Sequence, residues 1–339
     1  LRQDEYQGGF DLQRLLVPQW AVVVRESSSV VAGPASIELG ELAQHRILGG
    51  LRAGDPGRAM LFGLAGWEWN RQQGMRDDGP SLWLAAEVPA ATWEEITWNG
   101  RGSWRSTNLG ERKPSDGEVE MVVRRQFGES SEYTLSAAYR TQRRDLPTIS
   151  TGTIIGGPPG PPGLFRRDED VVVVRNSVWL ALAPGLRGSL DAGWSHRTVD
   201  RSFSSVTAAS VPLPTEIRLL QFDVAGRLVW EPSRGWLQVA SMGLIRGEEA
   251  HDVREREGED ALSADEQRRQ ARRRSNQSQR VVLSLRSGIP LDDDTDISVS
   301  VSSNLLRYDT PDTMNTDDRD ELLLTGGLEL ARRWNRWFS

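Results

Sequence analysis

The sequence predicts an all-β fold, an antiparallel transmembrane β-barrel with about 14 strands visible as successive hairpins. Three observations predict it. Apolar and polar residues alternate along runs of about 10 to 12 residues, the length that a tilted strand needs to cross a bilayer. Short polar turns join these runs in pairs, and longer polar loops separate the pairs. Because successive side chains of a strand point to opposite faces, each run has one apolar and one polar face.

The clearest hairpin lies in the middle of the chain. The apolar parity of its first arm runs from Leu220 to Trp230, while the other parity includes Asp223 and Arg227. A polar turn at Glu231–Gly235 follows, and the second arm alternates again over 237–246. This unit recurs along the chain from residue 45 onward, which indicates a hairpin repeat.

The domain prediction has two parts, an N-terminal segment and a barrel. Residues 1–44 are unresolved by pattern and fit either first strands or a remnant of a plug. Residues 45–339 form the barrel, which we expect to be truncated at its C-terminal end, since 333–339 resembles a turn into a further strand. The predicted strands of the barrel are 46–52, 59–70, 81–88, 95–106, 118–127, 132–141, 171–183, 186–199, 219–230, 237–246, 279–288, 296–308 and 322–332.

Three polar connections are predicted as long loops. Residues 71–80 form the first, and 142–170, with two Gly-Pro-Pro triplets, form an extended loop with polyproline character. Residues 247–278 form the third. Within it, 261–274 allows a short helix, but its charge run favours a solvated loop.

Aromatic residues are predicted to form two interfacial girdles at opposite ends of the strands. One set lies beside the short turns, and the other lies nearer the long loops. The chain has 13 Trp against 7 Phe and 4 Tyr, a balance that favours interfacial rings over ordinary core residues. The first set is Trp93, Trp230, Trp236, Trp334 and Trp337; the second is Trp67, Trp69, Trp83, Trp104, Trp194 and Tyr308, with Tyr139 beside it.

If the apolar parity faces lipid, the opposite parity lines a lumen. Arginines predominate there, so the sequence predicts a wet interior with a basic bias that favours anionic solutes. A salt-bridged lumen that only holds the wall apart is the alternative. The predicted lumen-lining residues are Arg101, Arg105, Arg124, Arg140, Arg187, Arg197, Arg227, Arg286, Asp191 and Asp223.

Composition excludes several classes of function. The chain has no cysteine, which rules out disulfides and thiolate metal sites within it. Its net charge of -7 argues against a nucleic-acid partner. No apolar run approaches the roughly 18 residues of a membrane helix.

The sequence shows no catalytic set, so no enzymatic activity, cofactor or metal is predicted. The three histidines have no metal-ligand spacing. Ser195 and His196 are neighbours on a strand and point to opposite faces, so they do not form a nucleophile and base pair. The acidic loop 309–321 does not have the spacing of an EF-hand calcium loop.

The hairpins from about residue 45 onward resemble the outer-membrane β-barrel class of porins and TonB-dependent receptors, by pattern and without a family-specific motif. The resemblance implies a Gram-negative outer membrane, with the lipid bilayer, small solutes and a barrel-assembly machinery as partners. It implies solute passage or uptake. A TonB-dependent receptor barrel, a structural or adhesive barrel with ligand-binding surface loops, and a soluble secreted β-sandwich or propeller remain alternatives, and an outer-membrane enzyme comes last.

Overall fold

The structure, a computed structural model, describes residues 4–32, 42–72, 75–128, 130–148, 163–204, 215–232, 236–253, 261–292, 295–310 and 318–332. These residues form fifteen strands and one helix, α1 (Ala261–Arg274). The strands are β1 (Asp4–Val17), β2 (Trp20–Ala32), β3 (Leu42–Asp55), β4 (Ala59–Gln72), β5 (Met75–Trp93), β6 (Ile96–Thr107), β7 (Ser115–Phe127), β8 (Ser131–Thr148), β9 (Gly163–Ala183), β10 (Leu186–Ser204), β11 (Thr215–Trp230), β12 (Leu237–Val253), β13 (Asn276–Pro290), β14 (Thr295–Asp309) and β15 (Arg319–Arg332).

All fifteen strands belong to one sheet, and their order in the sheet is their order in the chain. Each strand pairs antiparallel with the next, as β10 does with β11 from Leu186 opposite Trp230 to Arg201 opposite Thr215. The predicted all-β, antiparallel fold is therefore confirmed. Among the described residues no ladder joins β1 to β15, so the sheet is open between these two strands.

The first two strands lie in the segment that the sequence pattern left unresolved. β1 pairs with β2 and β2 pairs with β3, so this segment continues the same sheet. The pattern is unclear in β2 because both parities of Ala21–Val24 are apolar, and the structure buries Ala21 and Val23 while it exposes Val22 and Val24. Thirteen strands follow between Leu42 and Arg332, one for each of the thirteen predicted ranges and close to the predicted count of about 14.

Several predicted loops are wrong because the strands extend further than their apolar zones. β4 and β5 run through most of 71–80, where the Trp67 indole N–H donates to Asp78 at 2.9 Å. β8 and β9 likewise cover 142–148 and 163–170, while the Gly-Pro-Pro part of that loop lies outside the described residues. Polar side chains at these strand ends hide the alternation. In the 247–278 segment, α1 replaces the predicted solvated loop.

The two faces of the sheet differ in chemistry. We call them the apolar face and the polar face. Large apolar side chains point from the apolar face and are exposed along the whole sheet. Examples from ten strands are Leu12, Val22, Ile47, Leu84, Met121, Leu190, Phe222, Leu283, Val301 and Leu328.

The connections at the two ends of the strands differ in length. One end has the short connections, over 18–19, 56–58, 94–95, 128–130, 184–185, 231–236 and 291–294. Gly128 and Gly185 adopt positive φ there, 66° and 72°, a conformation that favours glycine. The other end has the longer connections, except for the short link between β4 and β5. In the described part of the chain, no helix is long and apolar enough to span a membrane.

The sheet curves over β3, β4 and β5, since Cα atoms of β3 and β5, which are two strands apart in the sheet, lie within 8 Å of each other. At Gly66 a Cβ atom would collide with the carbonyl oxygen of Ile47, and at Gly50 it would collide with that of Gly63. Only glycine therefore fits where these backbones approach so closely. Inside this bend, side chains of the polar face are buried, such as Leu48, Leu64 and Glu68.

We expect Gly66→Ala to lower the free energy of unfolding by about 1–3 kcal/mol, because the methyl group forces a backbone shift. Gly326→Ala on β15 is the matched control, since its Cβ would meet nothing within 4 Å. Denaturant titration in detergent micelles measures both. Equal midpoints for the two variants would show that the close approach does not constrain the bend.

Candidate functional site

The polar face is the candidate site, because it collects the residues that the sequence predicts to line a lumen. Residues paired across the ladder share a face, and so do residues two apart on one strand. Arg101, for example, lies opposite Glu120 on β7, and Asp191 lies opposite Ala225 on β11. Followed from β6 to β13, the registers place all ten predicted lumen-lining residues on this face. That the face lines a lumen stays a prediction.

Five of the predicted arginines have a carboxylate partner. These pairs are partly exposed, and a pair of this kind contributes about 0–1 kcal/mol. They are Arg101–Glu120 (2.7 Å), Arg105–Asp116, Arg187–Glu231 (3.0 Å), Arg197–Glu169 (2.9 Å) and Arg286–Glu329 (3.8 Å).

The other three predicted arginines, Arg124, Arg140 and Arg227, have no carboxylate within ion-pair distance among the described residues. Arg227 lies between Ser189 and Ser241 in the ladder. The sequence analysis missed Arg280 on β13, which shares the polar face and bonds the neutral side chain of Asn304 at 2.9 Å. From β8 to β13 the face therefore carries the guanidinium groups of Arg140, Arg227 and Arg280, which form no ion pair in the described part of the chain, with Glu118 directly opposite Arg140 in the ladder.

The bend over β3–β5 creates a second region of the polar face, which we call the filled corner: Val23, Arg46, Leu48, Leu64, Glu68 and Trp83. Val23, Leu48 and Leu64 form a buried apolar cluster against which Trp83 packs. The Arg25 guanidinium lies 4.4 Å from the centre of the Trp83 ring. Side chains of the sheet itself thus occupy the space on this part of the polar face.

A buried ion pair anchors the filled corner. Arg46 donates to Glu68 Oε2 from Nη2 at 2.7 Å and from Nε at 2.9 Å, and Glu68 is 1% exposed. Gln44 donates to Oε1 at 2.6 Å, and the Thr107 hydroxyl donates to Oε2 at 2.9 Å. The Ser81 and Thr107 hydroxyls are 3.0 Å apart. Four donor bonds therefore compensate the desolvation of this carboxylate.

Sequence reasoning missed the Arg46–Glu68 pair, although a signal was present. The turn at 54–57 fixes the pairing of β3 with β4, and that register puts Arg46 directly opposite Glu68. Opposite charges at opposed positions stabilise a strand pair. The burial of the pair depends on the bend, which alternation does not encode.

We expect Glu68→Gln to lower the free energy of unfolding by about 3 kcal/mol, since it leaves the buried Arg46 without a counter-charge. Glu120→Gln breaks the exposed pair with Arg101 and should cost only about 0–1 kcal/mol. Denaturant midpoints in detergent micelles compare the two. A Glu120→Gln effect as large as that of Glu68→Gln would contradict the role assigned to burial.

The predicted aromatic girdles fall mainly on the apolar face. Trp67, Trp69, Trp104 and Trp194 lie there by register, and Trp93 and Trp230 lie there next to the short turns. Trp236 is exposed just before β12, and Trp334 and Trp337 lie outside the described residues.

Trp83 and Tyr308 differ from the other predicted girdle residues, because both lie on the polar face. Trp83 is opposite Arg105 and belongs to the filled corner. Tyr308 is opposite Ser278, and the Arg319 guanidinium lies 5.7 Å from its ring centre. Each ring contacts an arginine on its own face, opposite to the face of the other described girdle residues, and membership of an interfacial girdle stays a prediction.

The histidines have local partners. His45 Nδ1 is 2.9 Å from the Ser28 hydroxyl, and His251 Nε2 is 2.6 Å from Glu249 Oε1. The His196 ring stacks on Trp194. Within the described ranges no group of three or more His, Asp or Glu side chains could hold a metal ion. Most of the acidic 309–321 loop lies outside those ranges.

Comparisons with known proteins give likenesses to solved structures only. No family description and no curated protein matches the chain. Among solved structures, a chain described as "Bacterial polysaccharide outer membrane secretin" is similar at 11% sequence identity, over 98% of this chain and 91% of that chain, with a TM-score of 0.32. This identity and this TM-score are too low for the likeness to indicate a function.

Proposed function

We propose that the chain forms the wall of a β-barrel in a Gram-negative outer membrane and that its polar face lines a passage for small solutes. The observation that carries this proposal is the continuous apolar face. On this face Leu190 is 54%, Phe222 48% and Leu328 73% exposed. No second layer covers them in the described part of the chain. Soluble proteins rarely expose apolar patches larger than a few hundred Å². A bilayer supplies the missing apolar partner.

Strand length supports the same proposal. The shortest strand, β6, has 12 residues and the longest, β9, has 21. A tilted transmembrane strand needs about 9–11 residues. Lipid offers no partner for backbone N–H and C=O groups, so the proposed barrel closes between the β1 and β15 edges, directly or through further strands.

The alternatives differ in what they require. A soluble sandwich needs two packed sheets, whereas the described residues form a single sheet. A structural or adhesive barrel needs no open lumen, and a TonB-dependent receptor needs a plug. The proposed barrel has no catalytic role, and its partners are lipid, small solutes and a barrel-assembly machinery.

Membrane residence is tested by cell fractionation and by gels of boiled and unboiled samples. We expect the protein in the outer-membrane fraction, with a heat-dependent shift in mobility, because a closed barrel resists detergent until it is boiled. Recovery as a soluble protein without detergent would contradict the proposal.

Passage and its selectivity are tested in planar bilayers under a KCl gradient. We expect conductance with a reversal potential on the anion side, because Arg140 and Arg227 carry unneutralised charge on the polar face. Arg140→Gln with Arg227→Gln should lower the permeability ratio of Cl⁻ to K⁺ toward one.

Arg246→Gln is the control, since it removes an arginine from the apolar face. We expect this variant to keep the wild-type reversal potential. A cation preference that none of the substitutions changes would refute the basic bias. A complete lack of conductance would favour a structural or adhesive barrel with a closed lumen.

A further inference from the structure

The side chains of the polar face differ between the side formed by β2–β5 and the side formed by β10–β15. On one side the filled corner is closed, with Val23, Leu64 and Glu68 all at 1% exposure or less. On the other side a row of five short hydroxyl side chains and one arginine crosses six strands. This hydroxyl row, in register order from β10 to β15, is Ser189, Arg227, Ser241, Ser284, Ser302 and Thr325.

The hydroxyl row is continuous because each of its members is the direct ladder partner of the next. Neighbouring Cβ atoms in such a row are about 4.5–5.5 Å apart. The Ser241 and Ser284 hydroxyls hydrogen-bond at 2.6 Å. Serine and threonine side chains reach only a short distance from the sheet, so they leave the space in front of this wall open.

The chemistry of the row favours one class of solute. A hydroxyl group both donates and accepts hydrogen bonds, so the row can exchange its bonds with water or with a passing polar solute. Arg227 is the only charged member, and a serine lies on each side of it in the ladder. The guanidinium presents only donors, and the adjacent hydroxyls can add further donors to a bound phosphate or carboxylate group.

The charges of the two sides support the same distinction. In the filled corner the Arg46 guanidinium is neutralised by Glu68 at 2.7 Å. Nearby, Arg105 pairs with Asp116. Arg227 has no carboxylate within ion-pair distance in the described chain, and Asp223 lies on the same strand face but four residues away. An exposed guanidinium without a carboxylate partner therefore lies on the open side, whereas Arg52 near the corner, bonded to Gln13 at 3.1 Å, is only 8% exposed.

We propose that solutes pass in front of the hydroxyl row, which crosses the strands of the wall, with Arg227 as the residue that binds small oxyanions, and that the filled corner is a permanently closed part of the wall. This inference rests on the proposed function, because it assumes that the polar face lines a passage. It assigns the two sides of the face different roles: the corner stabilises the sheet, and the row lines the passage.

The cysteine-free sequence allows a direct test with single cysteines. Ser284→Cys and Ser81→Cys are a matched pair, since both replace a hydroxyl on the polar face with a thiol of similar size. Ser81 is 3% exposed and hydrogen-bonded in the corner, whereas Ser284 is partly exposed in the row. Each variant is first checked for the wild-type heat-dependent mobility shift, which establishes that it is folded.

The folded variants are treated in planar bilayers with sulfonatoethyl methanethiosulfonate, which attaches a charged group to an accessible thiol. We expect Ser284→Cys to react and to lose conductance in discrete steps, and Ser81→Cys to remain unlabelled and fully conducting. Mass spectrometry of protein recovered from liposomes measures the labelling. A reactive Ser81→Cys that blocks, or a Ser284→Cys that is labelled without loss of conductance, would overturn the assignment of the passage.

The role of Arg227 is tested in the Ser284→Cys background. Arg227→Gln should slow modification by the anionic reagent at least tenfold relative to a cationic trimethylammonium reagent, because the local positive potential is lost. Inorganic phosphate should protect the thiol only when Arg227 is present. Arg246→Gln, on the apolar face, should leave the ratio of the two rates unchanged.

The outcomes separate the two proposals. A wild-type protein without conductance refutes the proposed function and this inference together. A conducting wild type in which Ser284→Cys has no effect refutes only the route in front of the hydroxyl row. A conducting wild type in which Arg227→Gln leaves the rate ratio and the phosphate protection unchanged refutes only the oxyanion site.

Discussion

Because antiparallel pairing fixes which residues oppose each other, the backbone ladder from β1 to β15 determines the chemistry of both faces at once. A slip of one residue in any pair would exchange the apolar and polar faces beyond it. Each hairpin therefore has to agree with its neighbours across the whole sheet. Rows such as Ser241, Ser284 and Ser302 exist only because three successive registers are correct.

Curvature is the second constraint, and it makes the polar face uneven. Where Gly50 and Gly66 let neighbouring backbones approach, side chains of the polar face meet each other and exclude water. A carboxylate in that position is tolerated only with several donors, and Glu68 has them from Arg46, Gln44 and Thr107. The glycines and the buried pair are thus parts of one arrangement.

The sequence predicted the fold class and the face of each lumen residue because both depend on period-two alternation alone. Arg101, Arg105 and Arg227 could be assigned to one face before any pairing was known, and the registers agree. The segment of β2 stayed open between a first strand and a plug remnant because Val23 is buried in the corner, which makes both parities of β2 apolar.

The features that the sequence did not predict depend on three-dimensional proximity. Tryptophan is typical of membrane interfaces, so Trp83 was predicted to lie in a girdle. The register places it on the polar face instead, where the Arg25 guanidinium lies over its ring. The polar ends of β4 and β5 were predicted as a loop. They are held as strands by hydrogen bonds between neighbouring strands, such as that from Trp67 to Asp78, and a hydropathy pattern does not reveal such bonds. The helix α1 was allowed by the pattern, but its many arginines favoured a solvated loop.

Alternation alone does not distinguish a lipid partner from a protein core, since both demand one apolar face. In our proposal the apolar partner is lipid, because no second sheet covers Leu190, Phe222 or Leu328 in the described part of the chain. The polar face then has to contact water along most of its width, because charged pairs such as Arg101–Glu120 remain partly exposed. The filled corner removes part of that width from contact with water. The remaining wall is the one lined by hydroxyls and by arginines without carboxylate partners, so hydration and positive charge coincide on the same strands.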